Sequence, residues 1–327
     1  MIDDSHRDLI EAADLNGLLR AVDALCERRA WEDLIDLADA CEDALERGKQ
    51  LWPIAAHIDY RLALEAPGDI AASVLDPSAS RFSLGPLTEV AASTHTWADL
   101  APYIEAPQSA AYVAQERVLR GEVLTGDERA HPEILELPLE LLSWEPAYSL
   151  PAFGKDHVEI QEPWDPVVLQ AVDASAGELL DDPDAHHALL ELVRPWTTES
   201  NGAARAVVVS GSPESAAATI SDVVRIAEIP AAEALQRMAW AAASGGAHGR
   251  RRGGALGRSL AWSATATLYG LEWPITSDEM FDAVHHLRFY LWDEGEAEEG
   301  WVLRIAVADT EDGWSAALAA TDLVLEE

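Results

Sequence analysis

Apolar residues recur at helical spacing from the start of the chain. Leu15, Leu18, Leu19, Val22, Leu25 and Cys26 form one stripe; Trp31, Leu34, Ile35, Ala38, Cys41 and Leu45 form a second, with Gly48 as its stop. Leu51, Ile54, Ile58 and Leu62 mark a third helix, ended by Ala66-Pro67-Gly68. Short connections between amphipathic helices make antiparallel neighbours. Further short helices are predicted near 86–92, 97–104 and 108–120, among Pro67, Pro77, Pro86, Pro102 and Pro107. No fixed period that would name a helical-repeat class is visible. Residues 1–125 therefore read as an irregular helical array.

The pattern weakens over 126–166, where Pro132, Pro138, Pro146, Pro151, Pro163 and Pro166 arrive in quick succession. Helices so interrupted do not propagate, and this span reads as a proline-rich connecting segment. The rest, 167–327, reads as an α+β domain. Helices are predicted over Val167–Leu180 and His186–Val193, and near 214–227, 231–243, 255–269, 277–286 and 313–322. Ala206–Val209 followed by SGSPES reads as strand, turn and helix, with Ser212 as cap and Pro213 in the first turn; a continuous helix is the alternative. Near 287–293 and 301–307 the period changes to two, with Leu287, Phe289 and Leu291 and then Trp301, Leu303, Ile305 and Val307 on one face. The polar span DEGEAEEG between them predicts a hairpin. The expected fold is mainly α: a helical array in the N-terminal half, and an α+β C-terminal half with one small antiparallel sheet.

Composition changes this picture through charge. The 327 residues hold 59 acidic and 22 basic side chains, a net charge of −37, and only Lys49 and Lys155 are lysines. A chain this negative repels phosphate backbones and anionic membrane surfaces, so no nucleic-acid or membrane partner is expected. No run approaches the roughly 18 apolar residues of a bilayer span, and MIDDSHRDLIEAADL lacks the basic and apolar regions of a signal peptide. Cys26 and Cys41 fall on apolar helix faces and read as small buried hydrophobes in a reducing compartment. A cytoplasmic location is the expectation.

One stretch departs from the acidity. From Ala234 to Leu271 there is no Asp or Glu, while Arg237, Arg250, Arg251, Arg252 and Arg258 appear. Its centre, GGAHGRRRGGALGR, lies between two predicted helices. Glycines expose backbone N–H groups, a helix N-terminus adds partial positive charge, and arginine pairs bidentately with phosphate or carboxylate. His248, Arg250, Arg251, Arg252 and Arg258 are thus anion-site candidates, with His248 as donor or acid/base. The blander account pairs these arginines with the protein's own carboxylates. GGALGRS is one residue short of a phosphate-binding loop and carries Arg where that loop has Lys. In DDPDAHH, Asp181, Asp184 and His187 are metal candidates of undiagnostic spacing; the favoured account has Asp184 capping a helix. No nucleophile elbow, HExxH, CxxC pair or GxGxxG is present, and no cofactor is expected.

RGKQLWPIAAHIDYRLALEAPG, RFSLGPLTEVAASTHTW and WAAASGGAHGRRRG together resemble an uncharacterised family of actinobacterial proteins over most of the chain. The resemblance implies a bacterial cytoplasmic setting and carries no activity, cofactor or functional residue. Two functions follow as expectations. The first is a binding or adaptor protein that uses helical surfaces and the Gly/Arg loop to contact an acidic protein partner or a second copy of itself. The second is an enzyme or sensor for a phosphorylated or carboxylated small molecule held at that loop.

Overall fold

The computed structural model describes residues 3–75, 84–160, 164–295 and 299–323. They form two units, one of residues 1–134 and 151–160, the other of 135–150 and 161–327.

The first unit is helical. It holds α1 (Asp4–Ala12), α2 (Leu15–Glu27), α3 (Trp31–Asp43), α4 (Trp52–Glu65), α5 (Gly68–Ser73), α6 (Leu87–Thr94), α7 (Trp97–Leu100), α8 (Pro107–Leu119) and the start of α9 (Pro132–Leu135). A two-stranded ribbon, β1 (Ala152–Phe153) with β2 (Val158–Glu159), completes it. The apolar stripes of the sequence are the reason for this packing. Leu18, Val22 and Leu25 of α2 meet Leu34, Leu37 and Cys41 of α3, and Ile54, Ile58 and Leu62 of α4, in one core. Helix α4 is the axis of the unit and packs against α2, α3, α5 and α6. Both cysteines are buried free thiols, and burial pushes each up to about 11.

The second unit is built on a seven-stranded, wholly antiparallel sheet in the order β3-β6-β7-β8-β9-β5-β4. The strands are β3 (Gln170–Val172), β4 (Glu178–Leu179), β5 (Ala203–Ser210), β6 (Val224–Ile229), β7 (Arg288–Asp293), β8 (Trp301–Asp309) and β9 (Trp314–Asp322). Its helices are α10 (Pro183–Glu191), α11 (Arg194–Thr198), α12 (Pro213–Ile220), α13 (Ala231–Ala243), α14 (Gly254–Leu268) and α15 (Ser277–His286). Helix α12 lays Ala216 and Ala217 on Val207, Val209, Ala306 and Ala317. Val208, Ala316 and Leu318, of the opposite parity, are buried as well, so both faces of the central strands are covered.

The expectation of a mainly α protein with one small sheet is therefore corrected. The hairpin near 287–293 and 301–307 is the β7–β8 pair, with Arg288 opposite Ala308, but it is the middle of a large sheet. The helix expected near 313–322 is strand β9, paired along its length with β5 and β8. The helix expected over Val167–Leu180 is replaced by the short edge strands β3 and β4, and the one near 214–227 stops at Ile220 before β6. WSAALAATD is rich in alanine, the best helix former, and a strand buried on both faces shows no alternation. Cross-strand pairing on both sides overrides that local preference. Part of the acidic hairpin tip, 296–298, lies outside the described residues.

Candidate functional site

The acid-free stretch acquires a structural reason. Residues Ala234–Leu271 cover most of α13 and all of α14, and these two helices pack on each other. Ala239, Ala241, Ala242, Ala243, Ala255, Ala261, Ala264 and Ala266 are all buried. A Cβ on Gly257 would stand 2.3 Å from the Ala239 carbonyl oxygen, so only glycine lets the helices approach this closely. Carboxylates are missing because the hairpin is internal, where unpaired charge is costly.

The two arginines that lie within these helices are internal too. Arg237 pairs with Glu233 at 2.7 Å and lies over the Trp164 ring, 4.4 Å from its centroid. Arg258 is 0% exposed and faces an equally buried Glu145. Its Nε and Nη2 donate to the two Glu145 oxygens at 2.9 and 2.6 Å, and Nη1 and Nη2 donate to the carbonyls of Pro138 and Glu140. Trp262 Nε1, the Tyr148 hydroxyl and the Leu142 N–H donate to the same carboxylate. The anion held by Arg258 is the protein's own.

The loop between the helices is fastened by its backbone. The Ala247, His248 and Arg250 N–H groups donate to Asp322, Ser200 and Glu199, and the Arg252 N–H donates to the Ala243 carbonyl. Arg252 Nη2 lies 3.5 Å from Glu191. His248 and Arg250 are exposed, and Arg251 and Arg252 are half-buried. Asp181, Asp184 and His187 are exposed around the start of α10, where the cap is Asp182 rather than Asp184: its carboxylate accepts from the Ala185 N–H, and Asp184 lies in the first turn. Among the described residues no group of three or more His, Cys, Asp or Glu side chains is placed to hold a metal ion.

A cavity lined by several titratable side chains lies in the helical unit, in residues the sequence did not single out. It has a volume of about 460 Å³ and is lined by Leu19 and Asp23 of α2, Pro53, His57, Tyr60 and Arg61 of α4, Leu84, and Lys155 and Asp156 of the β1–β2 turn. The positions 57, 60 and 61 share one helix face because they are three and four residues apart. The turn is held against α4 by the Tyr60 hydroxyl, which donates to the Gly154 carbonyl, and by Phe153 packed edge-on to the Tyr60 ring at 6.4 Å. Burial pushes the Tyr60 hydroxyl up to about 12, so it stays a donor.

Charge is organised around Arg61, which is only 4% exposed. It donates to Asp23 Oδ1 at 2.7 Å and, on its other side, to Glu65. The hydrogen bond from Arg61 holds the Asp23 carboxyl below its usual range, and the Lys155 charge acts in the same direction. Burial, then the Arg61 charge, hold the His57 imidazole below its ordinary value. His57 therefore stands neutral in the cavity, able to donate at one ring nitrogen and accept at the other. Among the described residues, neither His57 nor Lys155 makes a hydrogen bond or ion pair, and Asp23 Oδ2 accepts none. Asp156 is hydrogen-bonded to the His157 imidazole at 3.0 Å. A smaller cavity of about 300 Å³ lies in the second unit, with Trp144, Leu235 and Phe289 in its wall, and its Arg288 and Glu228 face each other at 3.5 Å.

Two signals for the cleft are present in the sequence: the HIDYR spacing, and Lys155 as one of two lysines. Neither is diagnostic before α2, α4 and the turn are brought together. No curated protein and no solved structure matches the chain. Residues 16–323 match the family of unknown function DUF6183, and the chain belongs to that family.

Proposed function

We propose that this protein binds a small polar molecule in the cleft between α2, α4 and the β1–β2 turn, as a sensor or carrier. The observation that carries the reading is the convergence of three chemically different groups, Asp23, His57 and Lys155, with hydrogen-bonding capacity open to one cavity of about 460 Å³. That volume is in the usual range for small-molecule sites. The reading that an acidic partner docks on the Gly/Arg loop keeps Arg250 and His248 as exposed side chains at its surface, while Arg258 is spent inside the fold. The setting we propose is the bacterial cytoplasm, in keeping with two cysteines held as buried free thiols; no helix among the described residues is long and apolar enough to cross a membrane.

The lysine count makes a direct test. Lys49 bonds Glu11 at 2.8 Å and is largely covered, whereas Lys155 is exposed at the cleft. Brief acylation of the full chain, read by peptide mass spectrometry, is expected to label Lys155 first. Pools of amino acids, sugars and organic acids should then include one that protects Lys155 and leaves Lys49 labelling unchanged. Protection of both lysines alike, or of neither by any pool, removes the cleft as the binding site.

A further inference from the structure

Which small molecule the cleft suits follows from its charges, an argument that rests on the reading of the cleft as a ligand site. Arg61 is the most buried cation there, and its single charge already faces two carboxylates, Glu65 at Nε and Asp23 at Nη1. It has no charge left over with which to clamp a phosphate or a dicarboxylate. The rest of the lining is of both signs: Asp23, which keeps one carboxylate oxygen outside its bond to Arg61, and Lys155. A lone anion meets Asp23 and Asp156 as well as Lys155, and a lone cation meets Lys155 as well as the carboxylates. A molecule carrying both charges satisfies each at once, and charge-assisted hydrogen bonds are the stronger kind. Neutral His57, in the same lining, adds a donor and an acceptor. Leu19, Pro53 and Leu84 supply apolar wall for a side chain or carbon skeleton.

We infer that the ligand of this cleft is a zwitterion of amino-acid or small-peptide size, with its ammonium group at Asp23 and its carboxylate at Lys155. Asp23 fixes one end because its other oxygen is tied to buried Arg61, which sets the carboxylate's orientation. Lys155 closes the other end from a turn anchored on Tyr60.

Isothermal titration calorimetry on the full chain tests this with the common amino acids and glycyl dipeptides as probes, against acetate, methylammonium and inorganic phosphate. At least one zwitterion is expected to bind saturably, while the single-charge probes do not bind at the same concentrations. Asp23→Asn, which keeps an acceptor for Arg61, and Lys155→Gln, at an exposed position, are each expected to weaken that binding by about fivefold. Unchanged far-ultraviolet circular dichroism checks that both variants fold. Binding of acetate or phosphate as tight as any zwitterion, and lost in Lys155→Gln, overturns the zwitterion and leaves the cleft as a site. Zwitterion binding that survives both substitutions takes the cleft away altogether. Silence from every probe overturns the inference as well, while protection of Lys155 by a sugar pool would still keep the broader reading.

Discussion

Asp59 lies on α4 among carboxylates rather than cations. Burial, followed by the negative charges of Glu42 and Asp39, pushes its carboxyl up to about 6. The folded-state value lies above that of the unfolded chain. Its contribution to stability is therefore fully present below about pH 4 and is lost as the pH rises through about 6. Asp59→Asn abolishes this ionisation. It is expected to raise stability by about 1–2 kcal/mol at about pH 7.5 and to change little at about pH 4. Urea denaturation at both pH values measures the difference; an effect of equal size at the two would show that ionisation is not its source. At this scale the sequence was a poor guide. Asp59 sits in HIDYR beside His57 and Arg61, and only the neighbouring helices decide which of these charges is paired, which is neutral and which is costly.

Among the elements, α14 shows how one side chain fixes a segment without regular structure. Residues 135–150 carry Pro138, Glu140, Leu142, Glu145 and Tyr148, all of which bond within the Arg258 and Glu145 network. Every donor and acceptor named there has a partner, so the pair is buried without an orphaned charge. Arg258→Ala leaves the buried Glu145 side chain without its cationic partner and is expected to cost about 3–5 kcal/mol. Arg258→Met together with Glu145→Leu is expected to recover part of that loss, because no charge is then stranded. Thermal or chemical denaturation of the single and double variants decides it. A single substitution that costs less than about 1 kcal/mol, as an exposed pair would, contradicts the structural role given to Arg258. From the sequence, Arg258 belonged with Arg250, Arg251 and Arg252 because they are close along the chain. The difference arises at the start of α14, which turns Arg258 inward while the loop residues stay at the surface.

Taken whole, the molecule carries a net charge of −37 with few cations to offset it. Self-repulsion on that scale opposes the compact state, and salt screens it over distances of about 10 Å at 0.1 M. Raising sodium chloride from about 0.05 to 1 M is therefore expected to increase the melting temperature by about 2–4 °C, corresponding to roughly 1 kcal/mol. A fall in melting temperature over the same range would mean that surface ion pairs outweigh the net repulsion.

By itself, the sequence determined the parts whose cause is local or periodic. Apolar stripes at helical spacing specify α2, α3 and α4, the two-residue period specifies the β7–β8 hairpin, and the surplus of carboxylates specifies the net charge of −37. Tertiary structure decided the rest. Alanine-rich β9 became a strand because β5 and β8 pair with it on either side. The acid-free stretch became an internal helix pair because Gly257 lets α13 and α14 touch. The cleft exists because Asp23, His57 and Lys155, distant along the chain, are brought to one cavity. Each of these depends on partners far away in sequence, and a residue's own propensity holds no record of them.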